Sequence, residues 1–289
     1  MYKIKFTKMH GLGNDFIMVE KNNLPQDIII EDFIELASDR NLGIGCDQFI
    51  IYEILDKENY CNKALMDIYN SDATKAEVCG NATRCLAYIM HEQNLVNQNI
   101  TQTDSPKSLA ENIYEIEAAG RKLSCKITGD KRVSVNMGKI SLKEPWMPES
   151  EQLSPVLSNF LTQSAEFAFA DAGNPHLIII EENITLEDIN LLGPKLESHP
   201  LFERGINVNF ASLNKNYINL NVWERSSGLT YACGSGACAT FAVCNNLGFV
   251  GDKAVVNFSQ GSLNMTMIDG AVHMEGEIAK VAEGSYYYE

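Results

Sequence analysis

The sequence predicts an α/β (α+β) protein built as two similar domains related by internal duplication. Three observations carry this prediction. The chain has 289 residues, long for one core and comfortable for two α/β domains of roughly 130–150 residues each. Two short stretches, CGNATRC at 79–85 and CGSGACA at 233–239, each set a cysteine and a glycine ahead of small residues. The markers around them recur in the same order. GNDF (13–16) is echoed by GNPH (173–176), and Asn70 precedes Cys79 by nine positions as Glu224 precedes Cys233. Self-similarity of this kind points to duplication.

The elements follow in chain order. EDFIELASDR (31–40) reads as a helix, and DQFIIYEIL (47–55) and NKALMDIYN (62–70) read as strands. ATRCLAYIMHEQNL (82–95) reads as a helix with Ala82, Leu86, Ile89 and Gln93 at helical spacing. NIYEIEA, RKLSCKI and KRVSVNM follow as strands. SLKEPWMPESEQLSP (141–155) has three prolines and little periodicity, so it is expected to be loop near a domain boundary. Beyond it, EFAFADAG, HLIIIEE, INVNFASL and YINLNVWE read as strands. TLEDINLLGPKLESH and GACATFAVCNNLG read as helices, and short strands finish the chain. The expected division is residues 1–134 plus 277–289 for an N-terminal domain and 135–276 for a C-terminal domain.

Composition narrows the function. A net charge of −15 argues against nucleic-acid or anionic-membrane partners, which both need basic surface. No apolar run reaches the roughly 18 residues of a membrane span. The N-terminal stretch lacks a continuous apolar h-region, so the expected location is cytoplasmic. Eight cysteines in such a chain are expected to be thiols, and no CxxC pair marks a metal site. GLGNDF falls short of a full dinucleotide fingerprint, and no lysine stands in a context that marks a Schiff base. No cofactor and no metal are therefore expected.

A cysteine where a strand turns into a helix sits at the positive end of the helix dipole. Free N–H groups face its sulfur, which should stabilise thiolate and lower the thiol pKa. The next glycine lets backbone approach a ligand, and the same N–H groups can hold a carboxylate. Cys79 and Cys233 fit this description, whereas Cys46, Cys61, Cys125 and Cys244 read as core. Two such sulfurs suit inversion at carbon, one removing a proton from one face and the other returning one to the opposite face.

At these residues the chain resembles the diaminopimelate epimerases, cofactor-independent amino-acid epimerases of lysine and cell-wall biosynthesis. The matching segments are KMHGLGNDF (8–16), DRNLGIGCDQ (39–48), IYNSDATKAEVCGNATRC (68–85), GNPH (173–176), ERGINVNF (203–210) and ERSSGLTYACGSGACA (224–239). The resemblance implies two domains, each a mainly antiparallel sheet or barrel around a central helix, with the active site in the cleft between them. It implies Cys79 and Cys233 as the acid/base pair, with His176 and Glu224 tuning the thiols. Asn14, Gln48, Asn70, Asn174, Asn207, Glu224 and Arg225 are implied as substrate ligands, as are the backbone groups of Gly80, Asn81, Gly234 and Ser235. The implied partners are a small amino-acid substrate and a second copy of the chain in a homodimer. Ala73, Thr74, Ala82, Ser226 and Leu229 depart from the commoner family pattern and bear on fine substrate geometry.

Two alternatives stay open at this level. One is a two-thiol racemase for another amino acid such as histidine, with altered ligands at the distal end of the substrate. The other is a redox sensor or binding protein that uses the two cysteines as a switch. Wash-in of solvent deuterium at the substrate α-carbon separates an epimerase from the second.

Overall fold

The computed structural model describes residues 1–55, 62–76, 79–101, 112–158, 161–162 and 165–289. Cys61, expected in the core, lies outside the described residues. The chain divides into two compact units, residues 1–136 with 275–289 and residues 137–274.

The first unit holds β1 (Tyr2–Gly11), β2 (Asn14–Glu20), α1 (Ile30–Ser38), β3 (Gln48–Leu55), β4 (Lys63–Asn70), β5 (Lys75–Ala76), α2 (Gly80–Thr101), β6 (Ile113–Ala118), β7 (Arg121–Gly129) and β8 (Arg132–Gly138). The second holds α3 (Ser150–Leu157), β9 (Glu166–Asp171), β10 (Pro175–Ile180), α4 (Leu186–Glu197), β11 (Asn207–Asn214), β12 (Tyr217–Glu224), β13 (Gly228–Thr230), α5 (Gly234–Asn246), β14 (Lys253–Phe258), β15 (Gly261–Ile268) and β16 (Ala271–Glu277). A last strand, β17 (Ala279–Tyr288), returns to the first unit and pairs antiparallel with β1 from Tyr2↔Tyr288 to His10↔Ala279.

The pairing schemes of the two units are the same. In the first, β1–β2, β3–β4, β4–β5 and β6–β7 are antiparallel, and β2–β3 and β4–β6 are parallel. In the second, β9–β10, β11–β12, β12–β13 and β14–β15 are antiparallel, and β10–β11 and β12–β14 are parallel. Each parallel pair is joined by a helix, as parallel strands require. α1 links β2 to β3 and α4 links β10 to β11. α2 leads from β5 to β6 and α5 from β13 to β14. The register repeats too. Phe16 lies opposite Gln48 as His176 lies opposite Asn207. Duplication is thus present in the hydrogen-bond ladder as well as in the motifs.

Each unit encloses one helix. α2 packs on β1, β2, β6 and β7, and α5 packs on β9, β10, β11, β12, β14 and β15. In α5 every residue from Gly236 to Cys244 is buried. Such a helix has no solvent face, so it must be surrounded. Its Gly, Ala and Cys side chains let the strands come close. The expected core cysteines Cys46, Cys125 and Cys244 are buried, as are Cys85 and Cys238. On the other side of each sheet an amphipathic helix packs its apolar stripe. Phe33, Ile34 and Ala37 of α1 meet Ile17, Val19, Phe49 and Ile51, and Ile189, Leu192 and Leu196 of α4 meet Leu177, Ile179, Val208 and Phe210.

Two elements differ from the sequence expectation. The stretch 141–155 is not wholly loop, because α3 starts within it. Glu149 and Gln152 form a capping box at its start, and Leu153 and Leu157 are buried, which holds a short helix despite Pro155. The N-terminal hairpin β1–β2 is absent from the elements the sequence predicts. In β1 only Ile4, Met9 and Gly11 are buried, so its apolar alternation is weak, and pairing with β17 at the far end of the chain defines it.

Gly193 in α4 shows how close the outer helix lies. A Cβ there would stand 2.4 Å from Cδ2 of Trp223, whose indole N–H donates to Glu197 at 2.7 Å. Helix propensity alone would favour alanine by about 1 kcal/mol. The clash opposes this with an overpacking cost of about 1–3 kcal/mol against a ring that is held in place. Gly193→Ala is therefore expected to lower the melting temperature, and an unchanged or raised melting temperature would show that the indole can move aside.

Candidate active site

The first unit builds its part of the site from a tight turn. β1 and β2 are joined through Leu12 (φ 56°) and Gly13 (φ 85°), a two-residue hairpin loop with both residues left-handed. This places Asn14 at the start of β2, close to the start of α2. Asn14 Oδ1 accepts a hydrogen bond from Asn81 Nδ2 at 3.2 Å and one from the Cys79 thiol at 3.7 Å. Asn81 Oδ1 in turn accepts from Arg84 Nη2 at 2.7 Å. Arg84 is fully buried and was not singled out in the sequence. Its signal is Gly11, where a Cβ would stand 3.0 Å from Arg84 Nη2. Cys79 itself is half-buried, and its carbonyl accepts from Thr83 N–H, so the helix begins directly after it.

A charge network fixes the loop that carries Gln48. The Arg40 guanidinium donates to both oxygens of Asp15, at 2.8 and 3.1 Å, and to Asp47 at 2.7 Å. Lys8 pairs with Asp15 at 2.5 Å and donates to the carbonyl of Gly45. The backbone N–H groups of Asp15 and Asp47 donate to each other's carboxylates, at 3.0 and 2.9 Å. Asp47 also accepts from Asn14 Nδ2 at 3.3 Å. Burial raises the Asp15 carboxyl, but hydrogen bonds from Arg40 and Lys8 outweigh it and hold the group well below the usual carboxylate range. Gln48 and Asn70 are register partners, and Gln48 Nε2 donates to Asn70 Oδ1 at 3.4 Å. Asn70 Nδ2 donates to Thr74 at 3.0 Å. Gln48 Oε1 is buried with no partner among the described residues, an acceptor suited to an ammonium group.

The second unit repeats the plan with different side chains. Cys233 is the N-cap of α5, and its sulfur accepts from Gly236 N–H at 3.3 Å. Ser235 Oγ lies 3.4 Å from the same sulfur. Gly234 and Ser235 open the helix, so their N–H groups precede the first intrahelical acceptor. Burial and then the charge of Glu224 push the Cys233 thiol well above its ordinary value, and the donors from Ser235 and Gly236 do not offset them. The expectation that a helix start lowers this pKa is corrected here. A nearly enclosed sulfur beside a carboxylate stays protonated despite the dipole. Glu224 accepts from Thr230 Oγ1 at 2.5 Å.

His176 is fully buried. Its Nε2 lies 2.8 Å from Asn174 Oδ1 and 3.1 Å from Ser235 Oγ, and its Nδ1 lies 3.0 Å from Asn209 Nδ2. Burial drives its pKa down to about 3, so the ring is neutral at physiological pH. Asn209 lies within the matching segment 203–210 but is given no role there; on β11 it stands two residues beyond Asn207, the register partner of His176. Asn207 Nδ2 donates to the Pro175 carbonyl at 2.9 Å, and its Oδ1 accepts the Arg225 N–H at 3.0 Å. One further donor and one further acceptor site remain on that amide. The Arg225 side chain donates to the Arg204 carbonyl at 3.1 Å and forms no ion pair among the described residues. The structure groups Asn14, Cys79 and Asn81, with Gln48 and Asn70 as a second pair, in the first unit. It groups Asn174, His176, Glu224, Cys233 and Ser235, with Asn207 and Arg225, in the second.

The chain thus has a duplicated α/β fold with a cysteine at the start of each enclosed helix. At the level of fold it is similar to a Bacillus anthracis phenazine biosynthesis protein of the PhzF family, with a TM-score of 0.70, 14% identity and 100% of each chain covered. It is also similar to a hydroxyproline epimerase from Agrobacterium vitis, with a TM-score of 0.58, 12% identity, 98% of this chain and 92% of that one covered. The family model for diaminopimelate epimerase matches residues 6–143 and 168–281. The diaminopimelate epimerases of Rickettsia felis and Rickettsia prowazekii are 40% and 41% identical over 287 residues, 99% of this chain and 98% of each relative. The chain belongs to the diaminopimelate epimerase family.

The Asp15 network yields a pH prediction. A carboxyl whose folded pKa lies below its unfolded value stabilises the fold above the unfolded pKa, about 3.9. That contribution is lost as pH falls through the folded value. Asp15→Asn should therefore cost about 2 kcal/mol at neutral pH, and the gap to wild type should close as the pH falls below about 4. Denaturant melts at several pH values check this, and a gap that stays constant into strong acid would refute it.

Proposed function

We propose that the chain interconverts LL- and meso-2,6-diaminopimelate by a cofactor-independent, two-base mechanism. Cys79 and Cys233 are the two acid/base groups. The observation that carries this reading is the repeated placement of a cysteine at the first turn of each unit's enclosed helix. In one direction, the thiolate of one cysteine takes the α-proton and becomes a thiol. The electron pair spreads into the α-carboxylate, and the thiol of the other cysteine gives a proton to the opposite face. The reverse reaction exchanges the roles, so one sulfur must be ionised and the other protonated at the start.

The developing carboxylate charge calls for preorganised donors. The N–H groups of Gly80 and Asn81 at α2 and of Gly234 and Ser235 at α5 are of this kind. Asn14 and Asn174 orient polar groups beside the sulfurs, and Gln48 supplies an acceptor. Glu224 holds the Cys233 proton in place, and neutral His176 acts as a donor. Asn70, Asn207 and Arg225 address the distal amino-acid head, where a guanidinium can take a carboxylate with two parallel donors. The reading carries with it a role in lysine and peptidoglycan precursor supply, a cytoplasmic location and a homodimer.

Cys79→Ala and Cys233→Ala are each expected to lower kcat by at least about 10²–10⁴-fold. Near-normal turnover by either variant would end the two-base reading. Arg225→Lys should lower kcat/KM for diaminopimelate by about 10-fold or more, because the bidentate contact is lost. An intact diaminopimelate rate in that variant, or a wild type that prefers histidine, would favour the racemase alternative instead.

A further inference from the structure

Asn209 is fully buried on β11, and neither the motifs nor the proposed mechanism gives it a task. Its Nδ2 atom lies 3.0 Å from the Leu177 carbonyl oxygen and 3.0 Å from His176 Nδ1. A carbonyl oxygen only accepts, so the amide atom facing Leu177 has to be nitrogen, whichever way an amide could be drawn. The same nitrogen then donates to His176 Nδ1. A neutral ring whose Nδ1 accepts carries its proton on Nε2. Nε2 therefore donates towards Asn174 Oδ1 at 2.8 Å and Ser235 Oγ at 3.1 Å. Ser235 cannot donate to a ring nitrogen that already bears a proton, so its own hydroxyl proton is directed to Cys233 Sγ at 3.4 Å. Together with Gly236 N–H, at 3.3 Å, this gives the sulfur two donors.

We propose that Asn209 is a positioning residue of the reaction, fixing His176 as the Nε2–H tautomer and thereby turning the Ser235 hydroxyl towards the Cys233 sulfur. The proposal rests on the two-cysteine reading above. The duplication supplies the contrast that supports it. Ile178↔Asn209 in the second unit corresponds to Met18↔Ile50 in the first, and His176 corresponds to Phe16. The first unit packs Phe16 and Ile50, both fully buried, where the second places a polar pair. The core of this fold is thus satisfied by apolar residues at these positions. The polar choice leaves Asn209 Oδ1 buried without a partner among the described residues, which is costly for a residue that only fills space. Gly236 belongs to the same arrangement. A Cβ there would stand 2.5 Å from Asn209 Oδ1 and 3.3 Å from Cys233 Sγ. The charges nearest this relay are Glu224, beside the sulfur, and Arg225, which acts on His176.

The test has two arms. The first uses the unmodified enzyme with 15N-labelled histidine, the His176 signals being assigned by their loss in His176→Gln. A neutral ring protonated on Nε2 is expected across neutral pH, and a ring protonated on Nδ1 would overturn the proposal without any variant. The second arm is a double-mutant cycle. Asn209→Leu and Ser235→Ala should each lower kcat about tenfold, with little change in KM. The combined variant should be no slower than Ser235→Ala alone, because both act through one hydroxyl. Gly236→Ala, which displaces the Asn209 amide without removing it, should lower kcat as Asn209→Leu does. Losses that multiply in the combined variant, or full kcat in a folded Asn209→Leu, would reduce Asn209 to a packing role. Normal turnover by Cys233→Ala would instead remove the two-cysteine reading, an outcome the tautomer measurement does not depend on.

Discussion

Much of this structure follows from the need to enclose a helix that has no polar side. α5 is buried from Gly236 to Cys244, and only a sheet curving around it can remove that much surface from water. Strands on both sides of the helix in sequence are recruited for this purpose, so β12 lies beside both β11 and β14. An enclosed helix still has N–H groups at its first turn that its own carbonyls cannot satisfy. They must face a cap or a ligand. The cysteine at the first turn, the glycine after it and the small residues beyond are what such a terminus permits. The candidate site therefore arises from the same constraint that shapes the core.

Duplication gives the two units one topology and one register but not one chemistry. Asn70 stands where Glu224 stands nine residues before the cysteine, and Phe16 and Ile50 stand where His176 and Asn209 stand. The consequence is electrostatic. Glu224 favours the protonated form of Cys233, while Cys79 lies next to an asparagine pair tied to a buried guanidinium. The two-base reaction proposed above starts with one thiol and one thiolate and so needs unequal surroundings for two identical side chains, and the unequal substitutions around a repeated scaffold are of the kind it requires.

The sequence made the duplicated α/β architecture and the order of most elements legible, because repeated motifs and apolar periodicity are local signals. Strand β1 was hidden because few of its residues are buried and its partner β17 is at the opposite end of the chain. α3 is hidden by the three prolines of the stretch 141–155, only one of which, Pro155, lies in the helix, although a capping box and two buried leucines hold it. Within the site, residues carrying family motifs could be named, whereas the surroundings that set their behaviour could not. The Cys233 thiol was expected to be acidified by the helix terminus. Enclosure and Glu224 reverse the sign, and both depend on packing that no spacing reveals. Arg84 and Asn209 lie within the matching segments 68–85 and 203–210, but an Arg in a helix or an Asn in a strand has no pattern that says what it will contact once buried.

Gly236 illustrates how far such couplings constrain a repeated motif. The corresponding position of the first unit is Ala82, also fully buried, so a methyl group is compatible with this turn of the helix. What excludes it at 236 is the Asn209 amide on the neighbouring strand, with Val222 Cγ2 at 3.1 Å closing the other side. Exchanging Asn209 for an aliphatic residue would remove the polar neighbour but leave His176 without its Nδ1 donor. Adding the methyl group at 236 would push the amide away from the same ring. The difference between CGNA and CGSG is thus not free variation in a glycine-rich turn. The glycine of the second unit is what leaves the Asn209 amide its place beside the buried His176 ring.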